Sequence, residues 1–286
     1  MRPIKSQHKS QKINMGGIVL DQPLPVGDLE MSDPFLLIHH WKQVLPGQQR
    51  QREVGVGPHP HRGFSPVSVV YAGEIHHRDS LGNDSIIGAG GTQWMLSGKG
   101  ITHSERPSKQ LAKDGGLFEF IQFWVNLPAE HKMDAPRYYP LTADDTPKYE
   151  KDGVSASIIT GTFHGVKGGL NTPHDVTVVS IELDANAAFS FDLPSDQQAV
   201  MYQLDGAVSV QQGHTSFAKT LYQFGVGDET GIELKAEEKT RILLLQGKPL
   251  NEKVSQYGPF VMNNQTEIME AIRDSQSGKM GVLIEE

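Results

Sequence analysis

Val69-Val-Tyr-Ala-Gly-Glu-Ile75 reads as an apolar strand, a glycine turn and the start of a second strand, because β-branched and aromatic residues favour extended backbone and glycine accommodates the reversal. The same order of residue types returns in Met201-Tyr-Gln-Leu-Asp-Gly-Ala-Val208. An echo of this kind implies a duplicated β-barrel. Around it, 30 glycines and 17 prolines punctuate many short apolar runs. Those at 35–38, 67–71, 118–127, 176–183, 200–204 and 242–245 are expected strands. Helical periodicity is confined to a late stretch, Asn264 to Gly278. There Asn264 and Glu267 make a capping box, Ile268, Ala271 and Ile272 share a face, and Gly278 sits where a C-terminal cap belongs. The expectation is a mostly β chain of two antiparallel barrels with a short C-terminal helix. The passage 126–153, with prolines at 128, 136, 140 and 147 and several acidic residues, reads as a connector. It places a linker at 136–150 between domains 1–135 and 151–286.

Composition narrows the chemistry. The chain has no cysteine, which excludes disulfides, thiolate zinc sites, iron–sulfur clusters and thiol nucleophiles. Hydrophobic residues make up 37%, and no apolar run approaches the roughly 20 residues of a membrane span. The N-terminus has basic residues but no apolar stretch behind them, so a secretory signal is not expected and the protein is expected to be cytoplasmic. With a formal charge of −8 and no concentrated Lys/Arg block, direct nucleic-acid binding is not expected.

Against that background stand His59-Pro60-His61 and His103-Ser104-Glu105. Side chains two residues apart on an extended segment point to one face, so two such segments side by side aim four ligands at one point. Three nitrogens and one oxygen suit divalent iron, manganese, cobalt, nickel, copper or zinc rather than calcium or magnesium. Pro60 removes a ladder donor and so calls for an edge strand or a loop mouth. Glu105 has two roles open to it, as a fourth ligand or as a general base near the metal. Four protein ligands on an octahedral ion leave two positions for substrate and water or dioxygen, which favours catalysis over a closed structural site.

Other residues carry weaker signals. His76, His77 and Asp79 read as a solvated hairpin or a hydrogen-bonded loop rather than as metal ligands, and His39-His40 as packing or pocket lining. Phe118, Phe120 and Trp124 share one strand face and form core or an aromatic pocket wall. Gly98-Lys99 fails as a phosphate loop because Gly100 stands where Ser or Thr is required. In the second half His164, His174 and His214 are scattered singly, and 192–198 contains no histidine, so only the first half is equipped for metal.

Taken together, Pro58-His-Pro-His-Arg-Gly-Phe64, Gln93-Trp-Met95, Gly98-x-Gly-Ile-x-His-Ser-Glu105 and Phe123-Trp-Val-Asn-Leu-Pro128 resemble the metal-site half of the pirin family, a branch of the bicupin fold. Asp33-Pro-Phe35 and the stretch from Gly247 to Asn263 match further signatures of that family, so the resemblance spans nearly the whole chain. It implies an N-terminal metal-binding cupin domain and a C-terminal cupin domain lacking ligands, with one mononuclear iron, as Fe(II), held by His59, His61, His103 and Glu105. It also implies a flavonol dioxygenase of the quercetinase type, with a small aromatic substrate and dioxygen as partners and Glu105 as the catalytic base. The rival implied role is a non-enzymatic, redox-responsive iron protein that binds protein partners as a transcriptional or metabolic co-regulator. Two departures stand out. Ile38-His39-His40 replaces an acidic pair, which would alter the pocket's charge if that strand borders it, and Ala89-Gly-Gly-Thr replaces a Pro-Gly-Asp turn.

Overall fold

Strands Phe64–Ala72 and Gly116–Asn126 pair antiparallel within a seven-stranded sheet. Its order is Arg137–Leu141, Thr92–Leu96, Phe64–Ala72, Gly116–Asn126, Phe35–Leu45, Ile18–Leu24 and Gln11–Met15. A four-stranded sheet accompanies it, ordered Val56–His61, Ile101–Pro107, Glu74–Asp79 and Asp84–Gly88. The computed structural model describes every residue except Gln212 and Glu286, and every side chain of the rest except those of His214 and Thr215.

A second pair of sheets repeats this order position by position. The seven-stranded member runs Ile4–Lys9, Thr220–Phe224, Gln198–Asp205, Thr240–Gly247, Val176–Leu183, Val154–Thr160 and Lys148–Lys151. Its four-stranded companion runs Ala188–Asp192, Gly231–Ala236, Ala207–Val210 and His214–Phe217. The chain is therefore mostly β, two cupin barrels of antiparallel sheets. The echoed motifs fall at equivalent corners, where Gly73 (φ 75°) and Gly206 (φ 77°) turn the strand in the left-handed region that glycine enters without steric cost. Among the described residues no helix is long and apolar enough to cross a membrane.

The chain forms two compact units. One comprises Met1–His39 with Asp144–Pro249, the other His40–Ala143 with Leu250–Glu286. Ile4–Lys9 forms an edge of the sheet built by the C-terminal half, pairing with Thr220–Phe224. The proline-rich connector also contributes two edge strands, Arg137–Leu141 and Lys148–Lys151. Its prolines concealed these strands, yet an edge tolerates a residue such as Pro140 that offers no N–H.

The first unit holds an apolar core in which Val179, Ile181, Met201, Tyr222, Phe224 and Leu244 are fully buried. The second unit is closed by the chain's return. Helix Gln265–Gln276 starts at Asn264, whose side chain accepts from the Glu267 N–H at 3.0 Å. The Glu267 carboxylate reaches back to the N–H of Asn263 rather than Asn264. Ile268 and Ala271 are buried beside Phe260, Met262 and Met280.

This return braces the segment after His61. Arg62 donates to Asp274 Oδ2 at 3.0 Å and to the Lys99 carbonyl at 2.6 Å. The fully buried Lys132 ammonium donates to the carbonyls of Gly63 and Val261 and to Asn126 Oδ1. Burial pushes the Lys132 pKa down to about 8, which still leaves it mostly charged at pH 7. Gly63 has φ 88°, and a Cβ there would stand 1.9 Å from the Val261 carbonyl oxygen. Gly63→Ala should therefore cost on the order of 2–4 kcal/mol, through strain and displaced backbone. A urea midpoint equal to that of the parent would contradict this account.

Candidate metal centre

The site is built by strand register. In the four-stranded sheet Val56–His61 is an edge strand, as Pro60 requires. It pairs with Ile101–Pro107 so that His59 faces His103 and His61 faces Ile101. On the other side of Ile101–Pro107, His103 faces Asp79 and Glu105 faces His77. Directly opposed residues, and those two apart on a strand, share a face. One face of the sheet thus carries His59, His61, His103, Glu105, His77 and Asp79.

The imidazoles of His59, His61 and His103 converge, with one donor nitrogen from each lying within 4.8 Å of the others. Nε2 of His59 and Nε2 of His103 are 3.0 Å apart. Nδ1 of His59 donates to the Gly57 carbonyl at 2.8 Å, and Nδ1 of His61 faces the Pro259 carbonyl at 3.4 Å. Those contacts place the protons on Nδ1 and leave Nε2 of both rings as acceptors. His61 Nε2 is buried and has no hydrogen-bond partner among the described residues. An orphaned buried nitrogen is rare in a folded protein and calls for an occupant. The donor chemistry fits a divalent transition metal, and the three imidazoles can hold one. Burial lowers the pKa of His59 and holds those of His61 and His103 well below the usual imidazole range. The rings are therefore kept in the neutral form that ligates.

Glu105 stands beside this triad, its Oε2 4.0 Å from His103 Nε2. Its oxygens accept three donors from other strands. Ser68 Oγ and Gln93 Nε2 donate to Oε1 at 2.9 and 2.6 Å, and Gln122 Nε2 donates to Oε2 at 2.5 Å. Trp124 Nε1 points at Gln122 Oε1 at 3.4 Å, and the Tyr138 hydroxyl donates to Gln93 Oε1 at 3.3 Å. The Trp124 ring meets His61 at 5.6 Å and Phe64 at 4.3 Å, so it lines the centre, whereas Phe118 and Phe120 pack with Trp41.

Several sequence expectations change here. Of the two readings of His77 and Asp79 the hydrogen-bonded one holds and the solvated one does not, for they are 1% and 3% exposed and bonded to each other at 3.0 Å. His76 is also buried and pairs with Asp84. His39 contacts Gln22 at 3.0 Å, and burial pushes its pKa down to about 4, so it adds no charge at neutral pH. His40, on the alternate face of its strand, pairs with buried Glu119. Ser68, Gln93 and Gln122 carry no motif that marks them as partners of a carboxylate. Only strand pairing brings them to it.

The equivalent register in the other barrel is apolar. Phe189 opposes Leu234 and Phe191 opposes Ile232, on the strand pair that takes the place of Val56–His61 and Ile101–Pro107 in sheet order. All four side chains belong to that barrel's core. The segments equivalent to the ligand strands are Ala188–Asp192 and Gly231–Ala236, rather than 192–198.

Comparison with known proteins follows the same division. The family model described as Pirin matches residues 18–125, and the Pirin C-terminal cupin domain matches residues 178–281. A pirin-like protein of Caulobacter vibrioides is 34% identical, covering 98% of this chain and 99% of that protein. Human pirin is 34% identical over 89% of this chain and 85% of its own length. A crystal structure of quercetin 2,3-dioxygenase from Acinetobacter baumannii superposes with a TM-score of 0.90 at 32% identity, covering 99% of this chain and 100% of that one.

Because the lowered pKa values keep the rings neutral below pH 6.5, protons should compete for the metal only at more acidic pH. Protein loaded with Co(II) should keep its metal on dialysis at pH 6.5 and lose it as pH falls further. His61→Ala should bind it weakly at every pH. Half-release above pH 6.5 would contradict the burial argument.

Proposed function

The chain belongs to the pirin family, and on that premise we propose that it is an iron-dependent dioxygenase that opens the heterocyclic ring of a flavonol such as quercetin with dioxygen and releases carbon monoxide. The observation that carries this reading is the juxtaposition of three converging imidazoles with a carboxylate held by three donors. The Acinetobacter relative, named a quercetin 2,3-dioxygenase, supports the choice of substrate class.

In this reading His59, His61 and His103 would hold the iron through Nε2, and Glu105, loosely bound or unbound, would serve as the base. Iron, when bound, supplies the handling of dioxygen that side chains lack. The remaining work belongs to the chain. Glu105 takes the proton of the enolic hydroxyl, leaving an electron-rich enolate as the carbon nucleophile. Ser68 and Gln93 hold Oε1 by hydrogen bonds, so the carboxylate cannot rotate away while its other oxygen receives the proton. Gln122 is half-buried and donates to Oε2, so its amide must give way as that proton arrives. The Trp124 ring, packed on Phe64, offers an aromatic wall for a planar substrate.

Protein reconstituted anaerobically with Fe(II) should consume quercetin on admission of oxygen and release carbon monoxide, and His59→Ala/His61→Ala should not. Full iron loading without turnover would overturn the dioxygenase reading. Glu105→Gln, which keeps the shape but cannot take a proton, should lower the rate by roughly 10²–10⁴-fold while retaining bound metal. An unchanged rate in that variant would remove the base role from Glu105.

A further inference from the structure

The proposed chemistry leaves unused a buried histidine–aspartate pair directly behind one of the ligands. Asp79 Oδ1 accepts from the backbone N–H groups of Leu81 and Asn83 at 2.9 and 3.1 Å. Its Oδ2 accepts from Asn83 Nδ2 at 2.7 Å and contacts His77 Nε2 at 3.0 Å. A carboxylate surrounded by donors in this way has no proton to offer, so the N–H of the His77 contact is on Nε2. With His77 taken in its neutral form, which carries one N–H, its Nδ1 is an acceptor. That nitrogen lies 3.4 Å from His103 Nδ1, so the donor there is His103. His103 Nε2 is left with its lone pair, facing His59 Nε2 at 3.0 Å. The His59 proton is already engaged with the Gly57 carbonyl. Two lone pairs at that distance repel, and a cation between the rings converts the repulsion into ligation.

We infer that Asp79 and His77 form a relay that sets the tautomer and ring orientation of His103, committing its Nε2 to a metal ion. This rests on the metal-binding reading above. His77 is a positioning residue rather than a ligand, since it reaches His103 through Nδ1 of both rings. Its plane is fixed by stacking on Tyr138, with centroids 4.0 Å apart and 8° between planes. Strand register supplies the rest, placing Asp79 opposite His103 and His77 opposite Glu105.

The decisive substitution is Asp79→Asn. It preserves size, but its amide can donate to His77 Nε2, which moves the His77 proton to Nδ1 and reverses the relay. Partners of this kind are worth roughly 10–100-fold in metal affinity. At pH 8 the variant should bind Co(II) with a Kd raised by that factor. Long-range ¹H–¹⁵N spectra of the metal-free protein, labelled at histidine, should show His103 as the Nδ1–H tautomer in the parent but not in the variant. His77→Leu should weaken Co(II) in the same direction, and near-UV circular dichroism checks that each variant is folded. Asp79→Asn with the parent's Co(II) affinity, the parent's visible spectrum and an unchanged His103 tautomer would overturn the relay. A parent that takes up no Co(II) would defeat the metal reading instead. The tautomer comparison would then decide the relay alone, supporting it if the Nδ1–H signal is lost in the variant and overturning it if that signal persists.

Discussion

The centre depends on one register, the pairing of His59 with His103 across adjacent antiparallel strands. Opposed residues on such strands bring their Cβ atoms to about 5 Å, close enough for two imidazoles to share an ion. A slip of one residue would send one ring to the opposite face, because the side-chain period of a strand is two. The pairing is guarded on several sides. Strand Ile101–Pro107 is also tied to Glu74–Asp79, a register shift between His103 and Glu105 sets its course along the edge strand, and Arg62 and Lys132 pin the backbone just past His61.

The two barrels show what that frame does with different side chains. With Phe189, Phe191, Ile232 and Leu234 on the inner face, it closes as an ordinary apolar core. With imidazoles and a carboxylate it buries groups that would be costly if left unpaired. The cost is contained because most of these groups are satisfied. Ring nitrogens meet the Gly57 and Pro259 carbonyls and His77, and the Glu105 oxygens meet Ser68, Gln93 and Gln122. The Nε2 lone pairs are the exception, that of His61 having no hydrogen-bond partner among the described residues and those of His59 and His103 facing each other, and they point at the function.

Long-range closure is the third feature. Residues late in the chain complete the barrel that holds the centre, through the Asp274 ion pair with Arg62 and the bidentate contact of Glu285 with Arg106, next to Glu105. Both pairs are largely buried. Such pairs cost more to break than they contribute in isolation, and they favour one arrangement of the ligand strands over its neighbours.

How much of this was legible in the chain follows from how far each feature reaches. The His59/His61 and His103/Glu105 pairs, the strand-rich character, the echoed turns at Gly73 and Gly206, and the capped helix after Asn264 are written in spacings of two to four residues. Those are set by local backbone geometry, so the sequence alone determined them. The roles of His77 and Asp79 were not legible, because a polar run looks the same in a solvated hairpin and in a buried relay. The same holds for Ser68, Gln93 and Gln122, which come from separate strands and meet only at Glu105. The edge strands hidden in the proline-rich connector, and the placement of Ile4–Lys9 in the sheet of the C-terminal half, also waited on the fold. Each depends on which strands become neighbours, and that choice is made by burial across the whole barrel rather than by any residue's own preference.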